Sequence, residues 1–128
     1  MGQMMILPPY NLAENLKCLQ ELNISKNILT DDVFATVGNM LQHSKKLHIF
    51  NLSENEITLD KESILLAFLT AISSYKINLN LAGNRIRTAK YIIKYIINSD
   101  GIIPLAKLDL SRNPFTSEDS SAIAKYYL

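Results

Sequence analysis

The feature that most constrains this chain is an asparagine that returns in phase. Asn27, Asn55, Asn84 and Asn113 stand 28, 29 and 29 residues apart. Each follows the same pattern of apolar side chains. Five positions before it lies Leu22, Phe50, Leu79 or Leu108, and three before lies Ile24, Leu52, Leu81 or Leu110. Two positions after it lies Leu29, Ile57, Ile86 or Phe115. The segments read LQELNISKNIL (19–29), LHIFNLSENEI (47–57), INLNLAGNRI (77–86) and LAKLDLSRNPF (105–115). Near-constant spacing over four copies marks a repeat architecture.

The pattern has a physical reason. Apolar residues two apart face one side of a short strand, and the residues between them face the other. The chain must then leave the strand and turn inward, which buries backbone groups that need partners. An asparagine side chain supplies both a donor and an acceptor. Four in phase predict a structural ladder formed by Asn27, Asn55, Asn84 and Asn113. The third copy departs at its start, where Lys76 replaces the leucine found at Leu19, Leu47 and Leu105. Ile77 is expected to take over that position by a local slip.

The stretches between these segments read as helices. Ile64, Leu65, Phe68, Leu69 and Ile72 form one apolar stripe, and Ala89, Ile92, Ile93, Ile96 and Ile97 another. The first copy offers Val33, Val37, Met40 and Leu41; the last offers Ala122, Ile123 and Tyr126 or Tyr127. Helix-start residues agree: Thr30 with Asp31 and Asp32, Thr58 with Asp60, and Thr116 and Ser117 with Glu118 and Asp119. Gly101 and Pro104 suit the exit from the third helix. Leu12, Leu16 and Leu19 are placed to cover the first repeat.

These segments resemble the leucine-rich repeat, L-x-x-L-x-L-x-x-N-x-L, over about residues 16–128. The long period and helical second half are similar to the ribonuclease-inhibitor-like subclass. The resemblance implies an α/β fold, a short right-handed solenoid of about four repeats curved into an arc. Its parallel sheet would lie on the concave side and its helices on the convex side. The expected organisation is a single domain over 1–128, with a partial unit at 10–18 and repeats starting near 19, 47, 76 and 105.

Composition narrows function. At 128 residues, 48% apolar and 20% charged, the chain suits one globular domain. A formal net charge of +1 provides no broad field for nucleic acid or an anionic membrane. No apolar run reaches the roughly 18 residues a membrane-spanning helix needs. The start, MGQMMILPPY, is a poor signal peptide. A single cysteine, Cys18, fits a reducing compartment, and a cytoplasmic location is expected. The sequons at Asn23 and Asn51 read as accidental, because each falls within an expected strand. The richness in Ile, Asn and Lys points, by analogy, to an AT-rich genome and to injected effectors of intracellular bacteria.

No enzyme motif is present, and no cofactor or metal is expected. The four glycines are isolated, so there is no phosphate loop. His43 and His48 lack a cysteine or acidic cluster to complete a metal site. Asp31–Asp32 and Glu118–Asp119 are accounted for by helix dipoles. Lys90, Tyr91, Lys94 and Tyr95 read as a solvated convex face.

What remains is the strand face turned away from the core. It comprises Glu21, Asn23 and Ser25; Ile49, Asn51 and Ser53; Asn78, Asn80 and Ala82; and Lys107, Asp109 and Ser111. The resemblance implies a non-catalytic interaction module that binds another protein through this concave ribbon and adjacent loop residues such as Lys26, Glu54, Arg85 and Arg112. Two alternatives stand beside it. One is a regulator of an enzyme, such as an inhibitor or a GTPase activator. The other is a structural unit that self-associates through open solenoid ends. Four strands span only about 14 Å, so either a longer repeat protein or end-to-end association is expected.

Overall fold

A computed structural model describes residues 18–41, 46–71, 76–96 and 105–121. The partial unit with Leu12 and Leu16, and residues His43, Ile72, Ile97, Gly101, Pro104, Ala122, Ile123, Tyr126 and Tyr127, lie outside them. Four strands appear in chain order: β1 (Glu21–Asn23), β2 (Ile49–Asn51), β3 (Ile77–Asn80) and β4 (Leu105–Asp109). They form one parallel sheet in the order β1-β2-β3-β4. Helices α1 (Asp32–Leu41), α2 (Glu62–Ala71) and α3 (Lys90–Tyr95) occupy the connections. Residues 117–121 are also helical.

Parallel neighbours need a crossover, and here each crossover carries a helix back to the same side of the sheet. The core lies between the two layers. Phe50, Ile77, Leu79 and Leu108 from the strands, with Leu52, Leu81 and Leu110 just after them, meet Phe34, Val37, Leu65, Phe68, Leu69 and Ile92 from the helices. Phe68 sits at the centre, its ring 4.5 Å from that of Phe34 and 5.9 Å from that of Phe50. Such tilted pairs add to the stability of area burial alone. Phe34, absent from the apolar stripe read for the first helix, is among the most buried residues, whereas Val33 is only partly covered.

The third strand begins as the sequence suggested. Lys76 is exposed and Ile77 is fully buried. Ile77 pairs with Leu105 and the next residue, Asn78, pairs with Lys107, so the ladder skips Ala106. That irregularity brings the two strands back into the same register for the rest of their length.

Backbone hydrogen bonds extend the stacking beyond the strands. Ile24 N–H donates to Asn51 O, Leu52 N–H to Asn80 O and Leu81 N–H to Asp109 O, at 2.9–3.0 Å. One turn further, Lys26 donates to Ser53 O, Glu54 to Ala82 O and Gly83 to Ser111 O. Equivalent positions therefore use equivalent partners. At β4 the pattern stops: among the described residues, the N–H groups of Leu110 and Arg112 have no acceptor.

Candidate functional site

Asparagines occur in two settings, one behind the strands and one on their open face. The inner set closes the turns. Asn55 and Asn84 are each 6% exposed. Asn55 Oδ1 accepts from the N–H of Asn27 and of Leu29, both at 3.1 Å, while its Nδ2 donates to Ile24 O, Leu52 O and Ser53 O. Asn84 repeats this one unit on, accepting from Asn55 and Ile57 and donating to Leu52 O, Leu81 O and Ala82 O. Asn113 accepts from Ile86 N–H and donates to Leu81 O, Leu110 O and Ser111 O. Asn27 donates to Ile24 O and Ser25 O. Its Oδ1 has no donor among the described residues.

The residue before each of these asparagines adopts a left-handed backbone. The φ values are 59° at Lys26, 56° at Glu54, 68° at Gly83 and 55° at Arg112. Only glycine does so without a steric penalty. The turn, not the side chain, therefore sets the conformation. A Cβ at Gly83 would lie 3.1 Å from Glu54 Cγ and 3.2 Å from Arg112 Nη1, so the glycine also admits the neighbouring side chains.

The open face of the sheet carries the second set. Register places Glu21, Ile49, Asn78 and Lys107 in one row and Asn23, Asn51, Asn80 and Asp109 in the next. The second row does more than face solvent. Ser53 N–H donates to Asn51 Oδ1 at 2.9 Å and Ala82 N–H to Asn80 Oδ1 at 3.0 Å. At the sheet margins, Ser25 donates through both N–H and Oγ to Asn23 Oδ1, and Ser111 does the same to Asp109 Oδ1. Each is a side-chain turn that seals the strand end. The recurring N-x-S and D-x-S spacing is the sequence signal for it. It includes the two sequons, whose asparagines lie at the strand ends rather than in mid-strand.

The third expected row requires a correction. Ser53 is only 7% exposed and Ala82 1%, whereas Ser25 is half-buried and Ser111 exposed. The strand has ended at Asn51, so alternation no longer governs which way Ser53 points. Ser53 and Ala82 have a unit on either side, which closes over them. Ser53 is thus a packing residue and not part of the ribbon.

Ile49, Asn51, Asn78, Leu79, Asn80, Lys107 and Asp109 line an open depression of about 190 Å³. Its charge is mixed. The Asp109 carboxyl is held below the usual carboxylate range, chiefly by Ser111 N–H, then by the Ser111 hydroxyl, with Arg112 and Lys107 adding attraction. It is therefore an anion at neutral pH.

Elsewhere two readings change. Asp31 does not merely complement its helix dipole: it is 9% exposed, and its carboxylate accepts from Thr58 N–H at 2.7 Å and Leu59 N–H at 2.9 Å in the following unit. Leu59 has a left-handed φ of 51°, so Asp31 fastens a turn that would otherwise be disfavoured. Asp119 makes a comparable link to Ala89 N–H, at 3.1 Å. Lys94 and Tyr95 are not simply solvated, since both donate to the Glu62 carboxylate across the helical layer. Those two bonds, Lys94 first, lower the Glu62 pKa, and the bond to Glu62 is the main cause that raises the Lys94 pKa. Arg85 reaches Glu56 at 3.6 Å, an exposed pair of little energetic weight. His48 and Cys18 are exposed.

The class defined by these observations is an α/β protein of stacked strand–helix units, closed by in-phase amides. The family model described as Leucine Rich Repeat matches residues 104–126, which supports a leucine-rich repeat protein. Domains of that family are commonly protein-interaction modules and generally non-catalytic. No curated protein matches the chain as a relative.

Proposed function

We propose that the chain is a non-catalytic protein-interaction module, a short right-handed solenoid of about four ribonuclease-inhibitor-like repeats forming one domain over 1–128. Its concave sheet face, with the adjacent loop residues, binds another protein. The observation that carries this reading is the immobilised polar face. Asn23, Asn51, Asn80 and Asp109 are each fixed by a bond to the backbone two residues on, so the surface is organised before any partner arrives. Preorganisation lowers the ordering cost of binding.

The test must spare the caps. Replacing Asn51 or Asn80 by a bulky residue would unseat Ser53 or Ala82, so Ile49→Arg and Asn78→Arg are the informative changes. Loss of a partner captured from the native host by the wild-type chain, with unchanged thermal unfolding, supports the concave face. Equal capture by mutant and wild type removes it.

A second reading, self-association through the ends, has its own observation. The N–H groups of Leu110 and Arg112 lack acceptors at one end, and Asn27 Oδ1 lacks a donor at the other, among the described residues. Head-to-tail stacking of two copies would match them, as within the sheet. Sedimentation over a range of concentrations distinguishes the two, because a strict monomer contradicts stacking.

A further inference from the structure

We propose that the depression on the sheet face takes a carboxylate, an Asp or Glu side chain of the partner protein, between the amides of Asn51 and Asn80 and the ammonium of Lys107. The inference rests on the reading of that face as the binding surface, and adds the chemistry of what binds there.

The orientation of the amides is what makes the depression selective. In the fourth strand the capping position is Asp109, whose carboxylate presents only oxygen to Ser111 N–H. Asn51 and Asn80 make the same bond at the same position, with Oδ1 taken by Ser53 N–H and Ala82 N–H. A flip would set an NH₂ group against an N–H donor. Oδ1 is therefore held on the backbone, and Nδ2 is the uncommitted end of each of these two lining residues. Neither Nδ2 has an acceptor among the described residues. Among the described residues, Asn78 beside them makes no side-chain hydrogen bond and Lys107 no ion pair.

Among the described residues, the opening is thus lined by uncommitted donors on three strands. The acceptor capacity opposing them is smaller. Asp109 Oδ1 already takes both the N–H and the Oγ of Ser111, which leaves Oδ2 as its uncommitted oxygen against the amides and the ammonium, and Arg112 and Lys107 offset part of its charge. A group seated here must bring acceptors, and charge-assisted bonds from Lys107 favour an anion. One ammonium and one carboxylate in the same lining make the depression suited to a singly charged group and unsuited to a phosphate. Ile49 supplies an apolar wall for the methylenes of an acidic side chain.

Asn51→Asp and Asn80→Asp are close to isosteric tests. Each keeps the oxygen that caps the turn, as Asp109 does naturally, and turns the outward donor into an acceptor. The probes are acetylated, amidated pentapeptides that differ only in a central glutamate, glutamine or lysine. Binding is followed by the ¹⁵N-correlated side-chain NH₂ signals of Asn51 and Asn80. The glutamate peptide is expected to move both signals, the glutamine peptide less, and the lysine peptide not at all. Asn51→Asp, Asn80→Asp or Lys107→Glu should weaken the glutamate peptide about tenfold or more, while the N–H groups of Ser53 and Ala82 stay protected from exchange with solvent. No binding of the glutamate peptide, equal binding of the lysine peptide, or full binding by Asn51→Asp would overturn the inference. If these fail while Ile49→Arg and Asn78→Arg still abolish capture of the native partner, the face remains the binding surface and only the carboxylate is lost.

Discussion

Asn51 and Asn55 are four residues apart in one unit, yet their side chains do different work. Asn55 is buried and uses both ends of its amide, taking two backbone N–H groups and giving to three carbonyls. Asn51 is half-buried and, among the described residues, uses only its oxygen. The same contrast separates Asn84 from Asn80. A saturated amide holds neighbouring units together, whereas a half-used amide, held rigidly, leaves a donor for something else. Residue type alone does not divide structure from recognition here. The count of unfilled hydrogen-bonding positions does.

The largest effect expected from this contrast is on stability. Asn55→Ala or Asn84→Ala orphans buried donors and acceptors in two units and should cost about 3 kcal/mol or more in urea unfolding. Asn27→Ala, at the margin, should cost about 1–2 kcal/mol. Equal costs at Asn27 and Asn55 would break the comparison. Asp31→Ala comes next. It strands the N–H groups of Thr58 and Leu59 and should cost about 1–3 kcal/mol, whereas loss of a helix-dipole contact alone would cost about 0.3–1 kcal/mol.

Smaller effects come from the left-handed positions. Gly83→Ala meets Glu54 and Arg112 and imposes φ 68° on a side chain, so it should destabilise by about 1–2 kcal/mol. Glu54→Gly relieves that penalty but adds freedom to the unfolded chain, and should stabilise by about 0.5 kcal/mol. The smallest effect is a pH dependence. The Glu62 pKa is lowered by bonds from Lys94 and Tyr95, so its contribution is present above the ordinary glutamate pKa. It is lost as pH falls through the lowered folded value. Glu62→Gln should lower the unfolding midpoint slightly near neutrality, leave it unchanged below that acidic window, and so flatten its fall with pH.

Much of the fold was legible because a repeat shows its period directly. The strand positions at Leu22, Phe50, Leu79 and Leu108, and the slip at Ile77, follow from which residues can be buried two apart. The open face was legible only in outline. Alternation places Asn51 and Asn80 outward, but it does not say that the next backbone N–H takes their oxygen. Ser53 was misread because alternation was carried past the end of a three-residue strand. Asp31 was misread because its partner lies 27 and 28 residues away, in a turn that its own helix-start pattern does not reveal.

Exchange of asparagine side-chain NH₂ protons with solvent tests the division of labour most directly. If the inner amides are saturated and the outer ones half-free, the NH₂ protons of Asn55 and Asn84 should exchange about a hundredfold or more slowly than those of Asn51 and Asn80. Similar exchange at all four would mean that the inner amides are open to water, and the account of how the units are held together would be wrong.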